Sequence, residues 1–176
     1  TTTSTVTGLK QNSNGKTGVV YVNSVGKNQQ GQIVLDYSRW VMVNKRDESK
    51  PAPEAVTPQL PSAVPADQLQ LPDTLHLENY NFSLSGDKFG WNDYEVGEKI
   101  DHVDGMTIEE AEHMLATRLY QNTAKVHFNQ FVEGKGRFGK RLVYGGHVIS
   151  LTRGLSFNGL GSAHKVLAIN GGRHVN

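Results

Sequence analysis

Proton-transfer chemistry is expected in residues 119–128, where a helical segment ends and Asn122 is followed five positions later by His127. The unperturbed pKa of an imidazole lies near neutrality, so a neutral His127 can take a proton from water. The amide of Asn122 can orient the same water, but it cannot accept a proton. The stretch therefore predicts one proton carrier and one orienting group. On its own, a histidine of this kind is more often an ordinary hydrogen-bonded residue than a catalyst.

A second stretch, residues 141–150, contains groups that can bind a developing negative charge. Gly145 and Gly146 are expected to open a helix, and the first amides of a helix have no intrahelical acceptor and lie at its positive end. These amides can therefore bind an oxygen that becomes an enolate. Close helix packing is the alternative explanation for the glycine pair. Ser150, further along the helix, is either a substrate contact or a core hydroxyl.

Two helices must position these stretches. Thr107 and Glu110 have the spacing of a capping box, which predicts a helix over residues 108–120. Residues 145–155 predict a second, more apolar helix, and the glycines that follow end it. The apolar stripe of the first helix is expected to be buried and its polar side to face solvent; the stripe consists of Ile108, Ala111, Leu115 and Leu119, and the polar side of Glu109, Glu112 and His113.

The rest of the chain is predicted to be mostly β structure. Residues 6–9, 18–25 and 32–43 read as strands, and Asn14-Gly15 suits a tight turn between the first two. The third strand is expected to have one mostly apolar face and one mixed face. Short strands are also expected within residues 91–100 and at 165–170. All six prolines lie in residues 51–72, which predicts a linker or a surface strap between different structural units.

Composition excludes several classes of function. A formal net charge of +1 with no block of like charge gives no case for nucleic acid or an anionic membrane. With no cysteine, disulfides and thiolate zinc sites are excluded, and a reducing cytoplasm is the expected location. No apolar run is long enough for a membrane span. The seven histidines show no spacing that places two ligands on one helical face, so no metal site is expected.

Two glycine-containing motifs imitate nucleotide-binding loops. Residues 14–17 end like a phosphate-binding loop, but the glycine that should begin the motif is Lys10. A hairpin turn is therefore the preferred interpretation. Residues 134–139 have the spacing of a dinucleotide-binding loop, but no long β run precedes them and an extended segment follows. They are predicted to form a flexible loop.

At these residues the sequence resembles the MaoC-type enoyl-CoA hydratases of the hot-dog fold. The resemblance is carried by residues 12–22, 39–43, 101–128, 141–158 and 168–172. It implies an α+β fold in which an antiparallel sheet wraps a long helix, with parts of two repeats joined by the proline-rich linker. Residues 1–50 would hold the closing strands of a first repeat, and residues 51–74 the linker. Residues 75–176 would hold the opening strand, helices and return strand of a second repeat.

The resemblance also implies an activity and a site. The activity is reversible hydration of a short branched enoyl-CoA such as mesaconyl-CoA, with no cofactor because CoA belongs to the substrate. The catalytic histidine of the family falls on His127, its usual aspartate on Asn122, its pocket serine on Ser150 and its second-motif glycine on Gly145, where Tyr144 replaces the usual histidine. A substrate carboxylate would need a cation, for which Arg118, Lys125, Arg141 and Arg153 are candidates.

The resemblance also implies that the chain acts as a homo-oligomer or pairs with half-repeats that it lacks.

Two other functions stay open. The main alternative to an enzyme is a non-catalytic hot-dog module that binds acyl-CoA or pairs with a catalytic subunit, since Asn122 in place of an aspartate could mark lost chemistry. A hot-dog thioesterase is a third, weaker option.

Overall fold

The structure is a computed structural model that describes residues 1–163, 165–173 and 175. The chain divides into two compact units, Thr1–Ser62 and Ala63–Asn176. The division lies inside the segment that the sequence assigned to a linker. Whether the two units are parts of separate repeats stays a prediction.

The first unit is a three-stranded antiparallel meander in the order β1-β2-β3. Its strands are β1 (Thr2–Gln11), β2 (Thr17–Lys27) and β3 (Ile33–Asn44). The register places Val6 opposite Val22 and Tyr21 opposite Trp40. The three predicted strands are confirmed, and β1 is longer than the sequence indicated, because its polar threonines pair with β2 along almost their whole length.

The turn between β1 and β2 is built from its own side chains. The Oδ1 atom of Asn14 accepts hydrogen bonds from the amides of Lys16 and Thr17 at 3.0 and 3.1 Å. Gly15 has φ of +69°, a value that glycine adopts at little cost. This geometry confirms the hairpin interpretation of residues 14–17 over a phosphate-binding loop.

The proline-rich segment begins as a strap on β1. Val56 and Leu9 exchange two backbone hydrogen bonds of 2.8 and 2.9 Å. Gly8 lies directly beneath, where a Cβ atom would collide with the carbonyl oxygen of Val56. The pairing register shifts between Val6 and Gly8, so a bulge in β1 brings this glycine to the strap.

Strand β3 does not show the predicted contrast between its two faces. Its residues are exposed on both sides, except Val41, which is partly buried. Val34 and Trp40, which point to the same face, are 65% and 63% exposed. Alternation in the sequence predicts that an apolar face needs cover, but it does not say which part of a protein provides that cover.

The second unit is helical. It contains α1 (Phe82–Ser85), α2 (Glu110–Leu119), α3 (Gln130–Glu133) and α4 (Gly145–Leu155), with 3₁₀ turns at Ala66–Gln68, Trp91–Asp93 and Lys125–His127. Helix α4 has the predicted bounds. The short strands expected within 91–100 and at 165–170 are wrong, because neither range is paired as a strand. An extended segment becomes a strand only beside a partner backbone, and the described part of this unit has no other strand.

Helix α2 begins later than predicted and buries the opposite side. Glu109 is the N-cap and no side chain caps the helix, so the capping box of Thr107 is wrong. His113 and Thr117 are almost fully buried, at 2% and 1% exposure, whereas Leu115 and Leu119 of the predicted buried stripe are 59% and 70% exposed. Within the described chain, α2 contacts α4, and Glu112 of α2 lies beside His147 of α4. His113 of the predicted polar side is therefore buried, whereas Glu109 stays exposed.

A buried aspartate organises the loops after α1. Asp87 is 7% exposed, and its carboxylate accepts hydrogen bonds from the amides of Phe89 and Ser162 at 3.0 and 3.2 Å. The bond from Phe89 is the largest of the effects that lower the pKa of Asp87 below its ordinary value. The residues around Phe89 are thereby tied to those that follow α4, a connection that the sequence did not indicate.

Candidate active site

The site begins where helix α2 ends. The amide of Asn122 donates to the carbonyl of Thr117 and the amide of Gln121 donates to that of Arg118, both at 3.0 Å. These two bonds form a Schellman motif. Its left-handed position is occupied by Gln121 at φ +52°, where glycine is usual. The motif turns the chain sharply and fixes the position of Asn122.

Asn122 shapes the turn that carries the histidine. Its Oδ1 atom accepts a hydrogen bond of 2.9 Å from the amide of Ala124, directly before the 3₁₀ turn Lys125–His127. The side-chain NH₂ group makes no hydrogen bond to the described residues. The amide of Asn122 therefore holds the turn with its oxygen and has its nitrogen available for a ligand.

His127 is oriented by a backbone carbonyl. Its Nδ1 atom lies 3.0 Å from the carbonyl oxygen of Leu142, and the amide of Leu142 donates to the carbonyl of Val126 at 2.9 Å. A carbonyl oxygen can only accept, so this contact assigns the ring proton to Nδ1. The lone pair of Nε2 is then free, which is the state that a general base requires.

Tyr144 lies against the histidine and marks the start of α4. The ring centroids of His127 and Tyr144 are 5.7 Å apart, and that of Tyr120 is 6.3 Å from that of Tyr144. A Cβ atom on Gly146 would come within 2.7 Å of the Cζ and hydroxyl oxygen of Tyr144. The tyrosine ring therefore occupies space that only a glycine at position 146 leaves open.

Gly145 and Gly146 open α4, as the sequence predicted; their role in binding an oxygen stays a prediction. The amides of His147 and Val148 both donate to the carbonyl of Tyr144, at 3.0 and 3.3 Å. The amides of Gly145 and Gly146 have no acceptor among residues 1–163. Ser150 is exposed further along the same helix, and the side-chain hydrogen bond of His127 goes to Leu142 and not to Ser150.

A cavity of about 420 Å³ adjoins the end of α2. Its wall combines the apolar side chains of Met114 and Phe128 with the polar side chains of Arg118, Gln121 and Asn122. Pockets that bind small molecules are usually of this mixed kind. His127, Tyr144 and the glycine pair do not line it, so the predicted site residues form two groups, joined through the chain between His127 and Phe128.

A buried polar cluster between α2 and α4 was missed from the sequence. It contains His113 and His147, with Glu112 3.6 Å from the Nε2 atom of His147 and Arg141 paired with Glu110. Burial is the main cause that lowers the pKa of His113 below its ordinary value, and the charge of Arg141 adds to it. Glu112 and His113 of this cluster lie on the polar side of α2, which the sequence periodicity predicts to face solvent.

No group of three side chains suited to a metal ion occurs in the described part of the chain. Two of the seven histidines considered as metal ligands, His164 and His174, lie outside the described residues. Among the helices that the structure describes, none has the length and apolar character to cross a membrane.

The fold matches half of a solved MaoC-domain dehydratase. A crystal structure of such a protein from Chloroflexus aurantiacus matches 99% of this chain with a TM-score of 0.94 and 65% sequence identity, and the match covers 50% of that chain. The predicted α+β hot-dog fold class is therefore confirmed. No protein-family model matches the chain.

Two curated proteins are similar to it in sequence. The β-methylmalyl-CoA dehydratase of Chloroflexus aurantiacus is 65% identical over 175 residues, and the mesaconyl-CoA hydratase of Cereibacter sphaeroides is 58% identical over 173 residues. These matches cover 99% and 98% of this chain but 50% of each relative. The resemblance to MaoC-type hydratases is confirmed, and the chain spans about half the length of these relatives.

Proposed function

We propose that this chain contributes the active site of a hydro-lyase that reversibly hydrates a short branched enoyl-CoA, of the type that converts mesaconyl-CoA into β-methylmalyl-CoA. The observation that carries the proposal is the bond between the Nδ1 atom of His127 and the carbonyl of Leu142. It leaves Nε2 able to accept a proton, in a chain that is 65% and 58% identical to two enzymes of this kind over nearly its whole length.

The proposed reaction assigns one role to each group. The Nε2 atom of His127 takes a proton from water while the water oxygen bonds to the β-carbon of the enoyl thioester. Electrons of the double bond move toward the thioester oxygen, whose negative charge is stabilised by the amides of Gly145 and Gly146. The enolate then collapses, and the α-carbon takes the proton back from the His127 imidazolium. Dehydration follows the same path in reverse.

Asn122 and Tyr144 support this chemistry without transferring the proton. The free NH₂ group of Asn122 is proposed to donate to the attacking water and hold its lone pair toward the β-carbon. Tyr144 packs beside the His127 ring and keeps it in place. Because an amide cannot act as an acid, His127 must both remove and return the proton. Ser150 is proposed as a substrate contact outside the region of the reacting atoms.

We propose that polypeptide outside this chain segment covers the exposed stripe of α2 and completes the site. The apolar stripe of α2, with Leu115 and Leu119 more than half exposed, would pack on polypeptide that corresponds to the other half of the relatives. The partners would then be that half and the acyl-CoA substrate, in a homo-oligomer. No cofactor is proposed beyond the CoA of the substrate, and the proposed location is the cytoplasm.

Following the ultraviolet absorbance of the enoyl thioester tests the proposal. Mesaconyl-CoA added to the protein should lose absorbance until equilibrium, and β-methylmalyl-CoA should gain it. Binding without any absorbance change would contradict the proposal and support the non-catalytic module. Release of free CoA thiol, detected with a thiol reagent, would contradict it in favour of a thioesterase.

A further inference from the structure

The four candidate cations for a substrate carboxylate differ in their present partners and in whether they line the cavity. Arg141 is paired with Glu110, and this ion pair would have to break before Arg141 could bind a substrate carboxylate. Arg153 lies 3.5 Å from the hydroxyl oxygen of Ser156. Lys125 is exposed and does not line the cavity. Only Arg118 of these four lines the cavity beside Asn122.

Arg118 is also without an anionic partner. Among the described residues, no carboxylate lies within ion-pair distance of its guanidinium group. Arginine forms planar, bidentate pairs with carboxylates, and its charge persists at every physiological pH. The cavity thus has one cationic group, and the polypeptide around it does not neutralise that charge.

The electrostatics of the helix end explain why a cation is needed there. Arg118 is in the last turn of α2, at the negative end of the helix dipole. A carboxylate in this cavity would be repelled by that end of the helix unless a positive side chain compensated for it. Arg118 is positioned to do so, because it and Asn122 share the cavity wall.

The chemistry of the proposed substrate also requires a cation close to Asn122. In mesaconyl-CoA the free carboxylate is bonded to the β-carbon, the atom that water attacks. A cation that binds this carboxylate must therefore lie next to the group that orients the water. Arg118 and the proposed water-orienting residue Asn122 meet this requirement in one cavity of about 420 Å³.

We propose that Arg118 binds the free carboxylate of a dicarboxylic enoyl-CoA in the cavity at the end of α2 and so selects that substrate class. This inference rests on the proposed hydratase function. It makes Arg118 a specificity-determining residue, in contact with the substrate but with no part in proton transfer.

Substrates that differ only in the carboxylate test the inference. In tiglyl-CoA a methyl group replaces the free carboxylate of mesaconyl-CoA, and the rest of the acyl group is the same. Arg118→Gln in the full chain should lower kcat/KM for mesaconyl-CoA by roughly 10- to 100-fold, as expected for a lost charged hydrogen bond. The kcat/KM for tiglyl-CoA should change by less than about threefold. Arg118→Lys should recover part of the loss.

Arg153→Gln is the matched control, since it removes an exposed arginine of α4 outside the cavity. This variant should leave the ratio of the kcat/KM values for mesaconyl-CoA and tiglyl-CoA unchanged. Equal losses on both substrates in Arg118→Gln, or no loss on either, would overturn the inference.

Binding measured by calorimetry separates this inference from the proposed function. If the wild-type protein turns over neither thioester, the hydratase proposal fails. A selective loss of mesaconyl-CoA affinity in Arg118→Gln would still support the carboxylate site in that case, and equal affinities would overturn it. Because Arg118 is exposed, the circular dichroism spectrum of the variant should match that of the wild type.

Discussion

The rings of His127 and Tyr144 pack against each other with centroids 5.7 Å apart and planes inclined by 56°. The tyrosine reaches the histidine because Gly146 has no side chain in its path. The hydrogen bond from Nδ1 to Leu142 fixes the other edge of the imidazole. The orientation of the proposed base therefore depends on a carbonyl, an aromatic ring and a glycine, and each can be tested separately.

Replacing His127 with alanine removes the proposed base. A positioned acid–base group contributes about 10²- to 10⁴-fold, so kcat for mesaconyl-CoA hydration should fall by at least 10²-fold. The lost bond to Leu142 should cost about 1 kcal/mol of unfolding free energy. The absorbance assay and chemical denaturation measure the two effects.

His76→Ala is the control for that variant. His76 has a 75% exposed side chain and lies 4.0 Å from the carboxylate of Glu78. It should retain full activity. Near-normal hydration by His127→Ala would remove His127 from the mechanism.

Adding a methyl group at Gly146 should disturb catalysis more than folding. The new Cβ would push the Tyr144 ring away, and the tip of a side chain can move at small cost. The His127 ring would lose its packing partner, and a displacement of about 1 Å can cost roughly 10²-fold in rate. We expect Gly146→Ala to lower kcat by roughly 10- to 100-fold with little change in melting temperature.

Gly154→Ala is the matched variant in the same helix. A Cβ atom at Gly154 meets nothing within 4 Å. Activity should be unchanged, and the gain in helix propensity should stabilise the protein by up to about 1 kcal/mol. If both variants keep full activity, the contact between Tyr144 and His127 has no catalytic importance.

Gln121 stores backbone strain beside the cavity. A left-handed conformation costs a residue with a side chain about 1–2 kcal/mol, and Gln121 adopts φ of +52°. Gln121→Gly should therefore raise the unfolding free energy by about 0.5–1 kcal/mol, after the larger chain entropy of glycine in the unfolded state is subtracted.

Gln121→Ala separates strain from side-chain function. It keeps the strained backbone but removes the side chain from the cavity wall. If both variants weaken mesaconyl-CoA binding equally, the glutamine side chain contacts the ligand. Denaturant midpoints that are equal for Gln121→Gly and the wild type would contradict the strain argument.

Local signals predicted much of this structure. The Asn14-Gly15 turn, the three strands and the bounds of α4 followed from residues close together in the sequence. The buried side of α2 did not. Apolar residues at helical spacing indicate that a face must be covered, but Leu115 and Leu119 are exposed while His113 is buried against its own chain. Burial depends on the tertiary partner, and the chain is only half the length of its relatives.

The candidate site was predicted in the same partial way. His127, Asn122 and the glycine pair could be named from residue type and from the helix ends that hold them. The contact between Tyr144 and His127 and the pairing of Arg141 with Glu110 join separate segments of the chain. The cavity is lined by residues of α2 and of the turns that follow it. Nothing in the local pattern could show which of the four cations remained free.

The buried side of α2 gives the last prediction, a loss of stability in weak acid. Burial, and next the charge of Arg141, lower the pKa of His113 below its ordinary value of 6.5; His127 and His147 act in the same direction and Glu110 opposes them. Between the lowered and the ordinary pKa, the unfolded chain binds more protons than the folded one, so acid favours unfolding.

The contribution of His113 to stability should thus be fully present above pH about 6.5 and should decline as the pH falls toward its folded pKa. Urea denaturation between pH 5 and 8 measures this decline. His113→Gln cannot titrate, so its unfolding free energy should vary less with pH, although its value at pH 8 should be lower because the packing changes. His76→Gln removes an exposed histidine and should keep the wild-type pH dependence. If the unfolding free energies of the wild type and His113→Gln vary with pH in parallel, then the packing of α2 and α4 does not hold His113 neutral.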